Sequence, residues 1–275
     1  MSRSERAAIA RETQAIVAAG RYERDSRAVD IGASVAAARQ GSHLHLPDDP
    51  ALDLAPTPAG EESVEVTGET TLAAAARLVA EGHTAVAALN FASAHQAGGG
   101  YLNGAEAQEE GLARASALAE CLEAVPEFYE FHRRQRDPRY SDRIVCSPAV
   151  PVFRDDAGTL LARPYEVTFL TAAAPNAGAL ADQGRSADLR SLIRRRARRV
   201  LAAAVLHDQR AVVLGAWGCG VFRNDPAVVA DVFAGLLEDG FTGAFDRVTF
   251  AVLDRAPGAP TLGAFEDRMR GVSLA

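Results

Sequence analysis

Two short segments constrain this chain more than any others. Residues 85–91 and 211–216 are apolar, too short for helices, and each opens into a glycine-rich turn. Gly98-Gly99-Gly100 follows the first and Gly218-Cys219-Gly220 the second. Apolar runs of this length, bounded by turn residues, predict strands buried on both faces. Such strands belong to sheets covered by helices on each side, so all-helical and open β architectures are excluded.

The rest of the sequence supplies the covering. Ser2-x-x-Glu5 is a capping-box pattern, and Ile9, Thr13, Ile16 and Val17 recur at helical spacing before Gly20, which predicts a helix over 4–19. Further helices are predicted over 33–39, 70–81, 107–122, 126–134, 186–207, 226–238 and 262–270. Strands are predicted over 28–31, 63–67, 143–152, 166–172 and 247–253. Residues 42–60, rich in Pro, Asp and His, read as loop and short extended pieces. No repeat or linker divides the chain. The expectation is one α/β domain over 1–275, with 1–62 a mostly helical extension and 63–275 the core.

The 29 basic residues are all arginine, which removes Schiff-base, phosphate-loop and kinase-type lysine chemistry. A net charge of -7 argues against a general or sequence-specific nucleic-acid binder. No apolar run reaches the roughly 18 to 20 residues of a membrane span, and the first turns carry Glu5 and Glu12 rather than an apolar leader core. Cys121, Cys146 and Cys219 have no paired spacing and read as free thiols, so a cytoplasmic location is expected. His43, His45 and His95 lack metal-ligand spacing, and no metal or cofactor is expected. The basic run Arg194, Arg195, Arg196, Arg198 and Arg199 cannot share one helix face, so a mostly solvated face is expected. Phe128, Tyr129, Phe131 and Trp217 read as packing residues.

Two places can carry chemistry. Asn90 ends the first buried strand, the three glycines follow, and seven residues later Gln108-Glu109-Glu110 open a helix. Glycines let backbone N–H groups approach a ligand, and a helix N-terminus suits an anion. At the second place Val221 and Phe222 continue the glycine turn. Ligands of open α/β sheets bind at such carboxyl ends of strands. Read only as local structure, both places are tight turns, with glutamates favoured at a helix start by its dipole.

Taken together, Gly98-Gly99-Gly100, the seven-residue spacer and Gln108-Glu109-Glu110 resemble the signature of the bacterial-type poly(ADP-ribose) glycohydrolases. The Gly218-Cys219-Gly220-Val221-Phe222 segment lies in the expected place downstream. The resemblance implies a macrodomain-like mixed sheet sandwiched between helices, with a helical N-terminal extension. It implies hydrolysis of ribose–ribose O-glycosidic bonds, mainly from the chain end, releasing ADP-ribose. By position Glu110 matches the catalytic acid and Glu109 the acceptor for hydroxyls of the terminal ribose. Gly98 to Gly100 match the loop around the distal ribose and phosphate, Gly218 to Val221 the diphosphate loop, and Phe222 the aromatic beside the distal ribose. Asn90 falls on the first Asn of the macrodomain motif V-N-A-A-N, whereas Ser93 replaces the second.

Neighbouring carboxylates on a helix diverge by about 100° and cannot straddle a bond as a glycosidase pair does. The two roles are therefore expected to divide. The helix N-terminus favours the charged form of Glu110, whereas burial and the substrate's diphosphate favour the proton. Glu110 is thus expected to become a competent acid mainly in the complex. Poly(ADP-ribose), ADP-ribose and ADP-ribosylated proteins carrying the polymer are the implied partners of a monomeric enzyme. A non-cleaving ADP-ribose reader and a mono-ADP-ribosyl hydrolase are the alternatives.

Overall fold

The computed structural model describes residues 1–56 and 62–272. The last part of the predicted 42–60 loop, from 57 onward, lies outside the described residues. In chain order the elements are α1 (Arg3–Ala19), β1 (Arg21–Arg24), β2 (Arg27–Asp30), α2 (Gly32–Gly41), β3 (His43–His45), β4 (Ser63–Thr67), α3 (Thr71–Ala80), β5 (Val86–Phe91), α4 (Gln108–Ala115), α5 (Leu118–Glu123) and α6 (Pro126–Gln135). Then follow β6 (Ile144–Arg154), β7 (Leu160–Ala172), α7 (Ala177–Asp182), α8 (Leu189–Leu206), β8 (Ala211–Leu214), α9 (Pro226–Glu238), β9 (Arg247–Ala251) and α10 (Pro260–Met269).

Seven strands form one mixed sheet in the order β3-β6-β7-β5-β8-β9-β4. β5 pairs parallel with β7 and β8, β9 pairs parallel with β8 and β4, and β6 pairs antiparallel with β3 and β7. Strand alternation sorts the core into two layers. Ala87, Leu89, Val212 and Leu214 pack on the side of α8, α9 and α10. Val86, Ala88, Ala211 and Val213 pack with α2, α3 and α4 to α6 on the other. This is the helix–sheet–helix sandwich expected from the two apolar runs. β1 and β2 form a separate hairpin, and β3 joins the edge of the main sheet, so the first 62 residues contribute a strand as well as helices.

Two local differences from the sequence reading have identifiable causes. The predicted helix over 107–122 breaks at Ser116, whose backbone is extended (φ -142, ψ 177). Ser116 forms a bridge to Val152, and the next N–H, of Ala117, donates to Pro151 O at 3.1 Å. A tertiary partner on β6 thus overrides a sequence with good helix propensity. The second difference is the arginine run on α8. Arg196 is 1% exposed and Arg199 is buried. Arg196 donates to Asp142 at 3.0 Å and to Arg139 O at 3.0 Å, and also to Ala173 O. Arg199 donates to Asp142 O at 3.1 Å, and Arg198 to Leu52 O and Leu54 O, both at 3.2 Å. The solvated-face expectation therefore holds for Arg194 and Arg195 and fails for the others. A guanidinium has five donors and can be buried where carbonyls converge on it.

Arg196 matters for the site because Ala173 follows directly on the end of β7. Arg196→Met leaves Asp142 with Arg195 alone and strips three carbonyl and carboxylate contacts. It is expected to lower stability by about 3 kcal/mol, as breaking a buried pair does. A urea unfolding curve with an unshifted midpoint would contradict this.

Candidate active site

The C-terminal ends of β5, β7 and β8 stand side by side, with Asn90 paired to Thr171 and Phe91 to Ala172. The chain leaving β7 reaches β8 across β5, and the crevice this opens above the strand ends is where ligands bind in such sheets. Trp217, fully buried, donates its indole N–H to Ala172 O at 3.1 Å, and Asn224 donates to Pro175 O at 2.9 Å. These two side chains tie the second glycine turn to the end of β7. Trp217 was legible as a packing residue. Asn224 carried no sequence signal beyond following a glycine turn.

Gln108 fastens α4 to β5. Its Oε1 accepts the Phe91 N–H at 2.9 Å, and its Nε2 donates to Leu89 O at 2.8 Å and Thr71 Oγ1 at 3.1 Å. Both amide hydrogens are thus engaged within the protein. Glu109, 3% exposed, accepts the Ser93 N–H at 2.6 Å and the Asn90 amide at 3.3 Å. Asn90 is itself fully buried and also donates to Thr171 Oγ1 at 3.2 Å. Burial pushes the Glu109 carboxyl up to about 8, its N–H partners opposing and the neighbouring Glu110 adding to the rise. Glu110 is less buried. It accepts the Gly100 N–H at 2.9 Å and the Ala107 N–H at 3.1 Å, the latter closing the first turn of α4.

The triglycine differs from expectation in an instructive way. Its N–H groups do not point free toward a ligand. That of Gly98 faces Glu109, that of Gly99 donates to Gln96 O at 3.1 Å, and that of Gly100 holds Glu110. Gly99 has φ +57, and a Cβ there would overlap Glu110 Oε1 and lie 2.9 Å from its Cδ and 3.2 Å from Glu109 Oε2. The loop is therefore a socket for two carboxylates. Both side chains reach the same glycine despite their divergence along the helix: Glu110 folds back to the Ala107 N–H, and Glu109 turns toward the end of β5.

The second turn is the one with open donors. Among the described residues, the N–H groups of Gly220, Val221 and Phe222 meet no protein acceptor. Gly218 has φ +74, and a Cβ on it would meet Asn224 and lie 2.6 Å from Ala174. Cys219 is half-buried, Val221 is 80% exposed, and Phe222 lies 5.7 Å from the Tyr140 ring. Tyr140 in turn meets His95 edge-on at 5.8 Å. His95 thus belongs to an aromatic row beside the site. His43 and His45 lie at the far edge of the sheet.

A cleft of about 630 Å³ runs from this turn, with Phe91 and Gln108, to Val252–Asp254 and Thr70–Thr71. Ala107 and, on α4, Gln108, Gly111, Leu112, Arg114 and Ala115 line it, whereas Glu109 and Glu110 lie round the helix against the glycine socket. The cleft can take the bulk of a ligand, and the two carboxylates adjoin it.

A mixed seven-stranded sheet between helical layers, with glycine turns and an acidic pair at its central strand ends, defines a macrodomain-type catalytic module. The model of the family described as microbial-type PARG, catalytic domain, matches residues 10–155. The chain belongs to that family. The poly(ADP-ribose) glycohydrolase of Thermomonospora curvata is 54% identical, with 96% of this chain and 99% of that one covered and a TM-score of 0.92. The same enzyme bound to the inhibitor ADP-HPD superposes at 0.90, with the same identity and coverage. The Deinococcus radiodurans poly(ADP-ribose) glycohydrolase in complex with ADP-ribose is 49% identical over 87% of this chain and 98% of that one, at 0.81. No curated protein matches the chain.

Proposed function

We propose that this chain hydrolyses the ribose–ribose O-glycosidic bonds of poly(ADP-ribose), mainly from the chain end, and releases ADP-ribose. One observation carries the reading. A buried and a half-exposed carboxylate are clamped against Gly99 beside a ligand-sized cleft, in a chain 54% identical to a poly(ADP-ribose) glycohydrolase.

In this reading Glu110, the more accessible carboxyl, gives its proton to the departing 2′-oxygen as the glycosidic bond breaks. The oxocarbenium-like ribose is stabilised by the substrate's own diphosphate, and Glu110 then takes a proton from the attacking water. Glu109 accepts hydroxyls of the terminal ribose and fixes its position. The open N–H groups at Gly220 to Phe222 hold the diphosphate, and Phe222 packs on the distal ribose. Gly98, Gly99 and Gly100 act through the glutamates they seat, and Asn90 and Gln108 hold Glu109 and α4 in place. Cleavage from the chain end is the pattern that the family resemblance implies. ADP-ribosylated proteins are the proposed carriers of the polymer. The unpaired cysteines support a cytoplasmic, reducing setting, and the chain acts as a monomer of one domain. Among the described residues no helix is long and apolar enough to cross a membrane.

The test is incubation with poly(ADP-ribose) and separation of products over time. ADP-ribose should dominate from the earliest points. Binding without turnover would indicate a reader, and early release of long oligomers would remove the preference for chain ends. Gly99→Ala probes the socket independently. The added Cβ meets Glu110, and displacements of about 1 Å at a reacting group cost on the order of 100-fold. A loss of kcat of about that size is expected. The left-handed backbone at this position should also cost about 1 kcal/mol of stability. Unchanged kcat would exclude the socket role.

A further inference from the structure

We propose that the chain binds one zinc ion at the outer edge of the sheet, through the Nε2 atoms of His43, His45 and His207 and the thiolate of Cys146. The topology brings these four together. His43 and His45 are two apart on β3, so they project from the same face of the strand. β3 pairs antiparallel with β6, and Cys146 is the direct cross-strand partner of His43. His207 caps the C-terminus of α8, which packs over that face.

The distances among the three imidazoles suit a metal. His45 Nε2 lies 3.2 Å from His43 Nε2 and 3.0 Å from His207 Nε2. Ligand atoms of His43, His207 and Cys146 all lie within 4.8 Å of one another. Tetrahedral zinc, with bonds of ~2.0–2.1 Å to nitrogen and ~2.3 Å to sulfur, puts neighbouring nitrogens about 3.3 Å apart.

The hydrogen bonds behind the imidazoles set their protonation. His43 Nδ1 lies 2.8 Å from Gly41 O, and His45 Nδ1 lies 2.6 Å from Asp49 Oδ2. Both partners only accept, so both Nδ1 atoms carry the hydrogen. In the neutral rings the two Nε2 atoms then present lone pairs to each other at 3.2 Å. That arrangement is repulsive without a cation between them, and it is the arrangement of metal-bound histidines oriented by a carboxylate or a carbonyl. On binding, the Cys146 thiol releases its proton to solvent. One thiolate and the Asp49 carboxylate then balance the charge of a divalent ion. His43 is exposed and gives the ion access from solvent, whereas Cys146 is fully buried. A closed His3Cys set with no open position is structural: it pins the three-residue edge strand to α8, far from the glutamates.

The sequence hid this site. His43-x-His45 is an unremarkable pair, and its other two ligands lie more than a hundred residues downstream.

The test uses the full, untagged chain, stripped with a chelator and dialysed against zinc. One zinc per chain by elemental analysis is expected, together with a raised Tm. His207→Ala and His43→Gln, the latter at an exposed position, should each weaken zinc binding by about 100-fold or more with the fold intact by circular dichroism. Cobalt in place of zinc should give tetrahedral visible bands and a thiolate charge-transfer band that Cys146→Ala abolishes. Stoichiometry far below one, or wild-type zinc affinity in both histidine variants, would overturn the proposal.

Discussion

Glu110→Gln is expected to lower kcat on poly(ADP-ribose) by about 10²- to 10⁴-fold while the Kd for ADP-ribose changes by less than about threefold. The substitution keeps the shape of the side chain and removes the exchangeable proton. The glutamine carbonyl can still accept the Gly100 N–H, so the seat against Gly99 survives. The Ala107 N–H, now facing an amide nitrogen, loses its acceptor, which should cost about 1 kcal/mol at the start of α4. The binding contacts proposed at Gly220 to Phe222 and at Glu109 are untouched. A proton donated only in the transition state affects kcat and kcat/KM alike, whereas a lost ground-state contact raises KM. Steady-state kinetics with calorimetric titration of ADP-ribose separates the two. A variant with wild-type kcat would take Glu110 out of the reaction, and one with intact kcat and raised KM would recast it as a binding residue.

The sandwich and the location of the site were legible because both rest on local physics. Apolar runs of strand length must be buried on two faces, and Pro226 and the Thr70 cap mark helix starts that the structure reproduces. What was not legible depends on partners distant in sequence. Ser116 breaks a helix because Val152 is waiting beside it. Arg196 is buried because Asp142 and Arg139 from the loop before β6, and Ala173 from the end of β7, converge on it. The Gly98 and Gly100 N–H groups face carboxylates and that of Gly99 a carbonyl, rather than a ligand, because the start of α4 packs against the loop. Spacing indicates which residues lie near one another. It does not indicate which hydrogen bonds are already satisfied, and that decides which groups remain for a substrate.

Glu109→Gln is expected to make the protein more stable at alkaline pH while impairing turnover. The folded-state Glu109 carboxyl lies at about 8, against an ordinary value of 4.5, with burial as the main cause. A raised folded value means that folding takes up a proton between those limits. The contribution of Glu109 is therefore fully favourable below about 4.5 and is lost as pH rises to about 8. Each pH unit within the window costs at most about 1.4 kcal/mol, so the wild-type protein should lose stability steadily across it. Glutamine does not titrate. Its carbonyl can accept the Ser93 N–H, and turning the Asn90 amide over lets Asn90 Oδ1, which has no donor here, accept from the new amide. The difference in Tm between variant and wild type should consequently widen from pH 5 to pH 9, in the variant's favour. Parallel curves would show that Glu109 keeps its charge in the fold. Activity should move the other way, because a neutral amide is a poorer acceptor for ribose hydroxyls than a carboxylate. The instability is thus the cost of keeping an acceptor in a dry socket. It is relieved once a ribose hydroxyl donates to the charged form, so ADP-ribose should stabilise the wild type more than Glu109→Gln at the alkaline end.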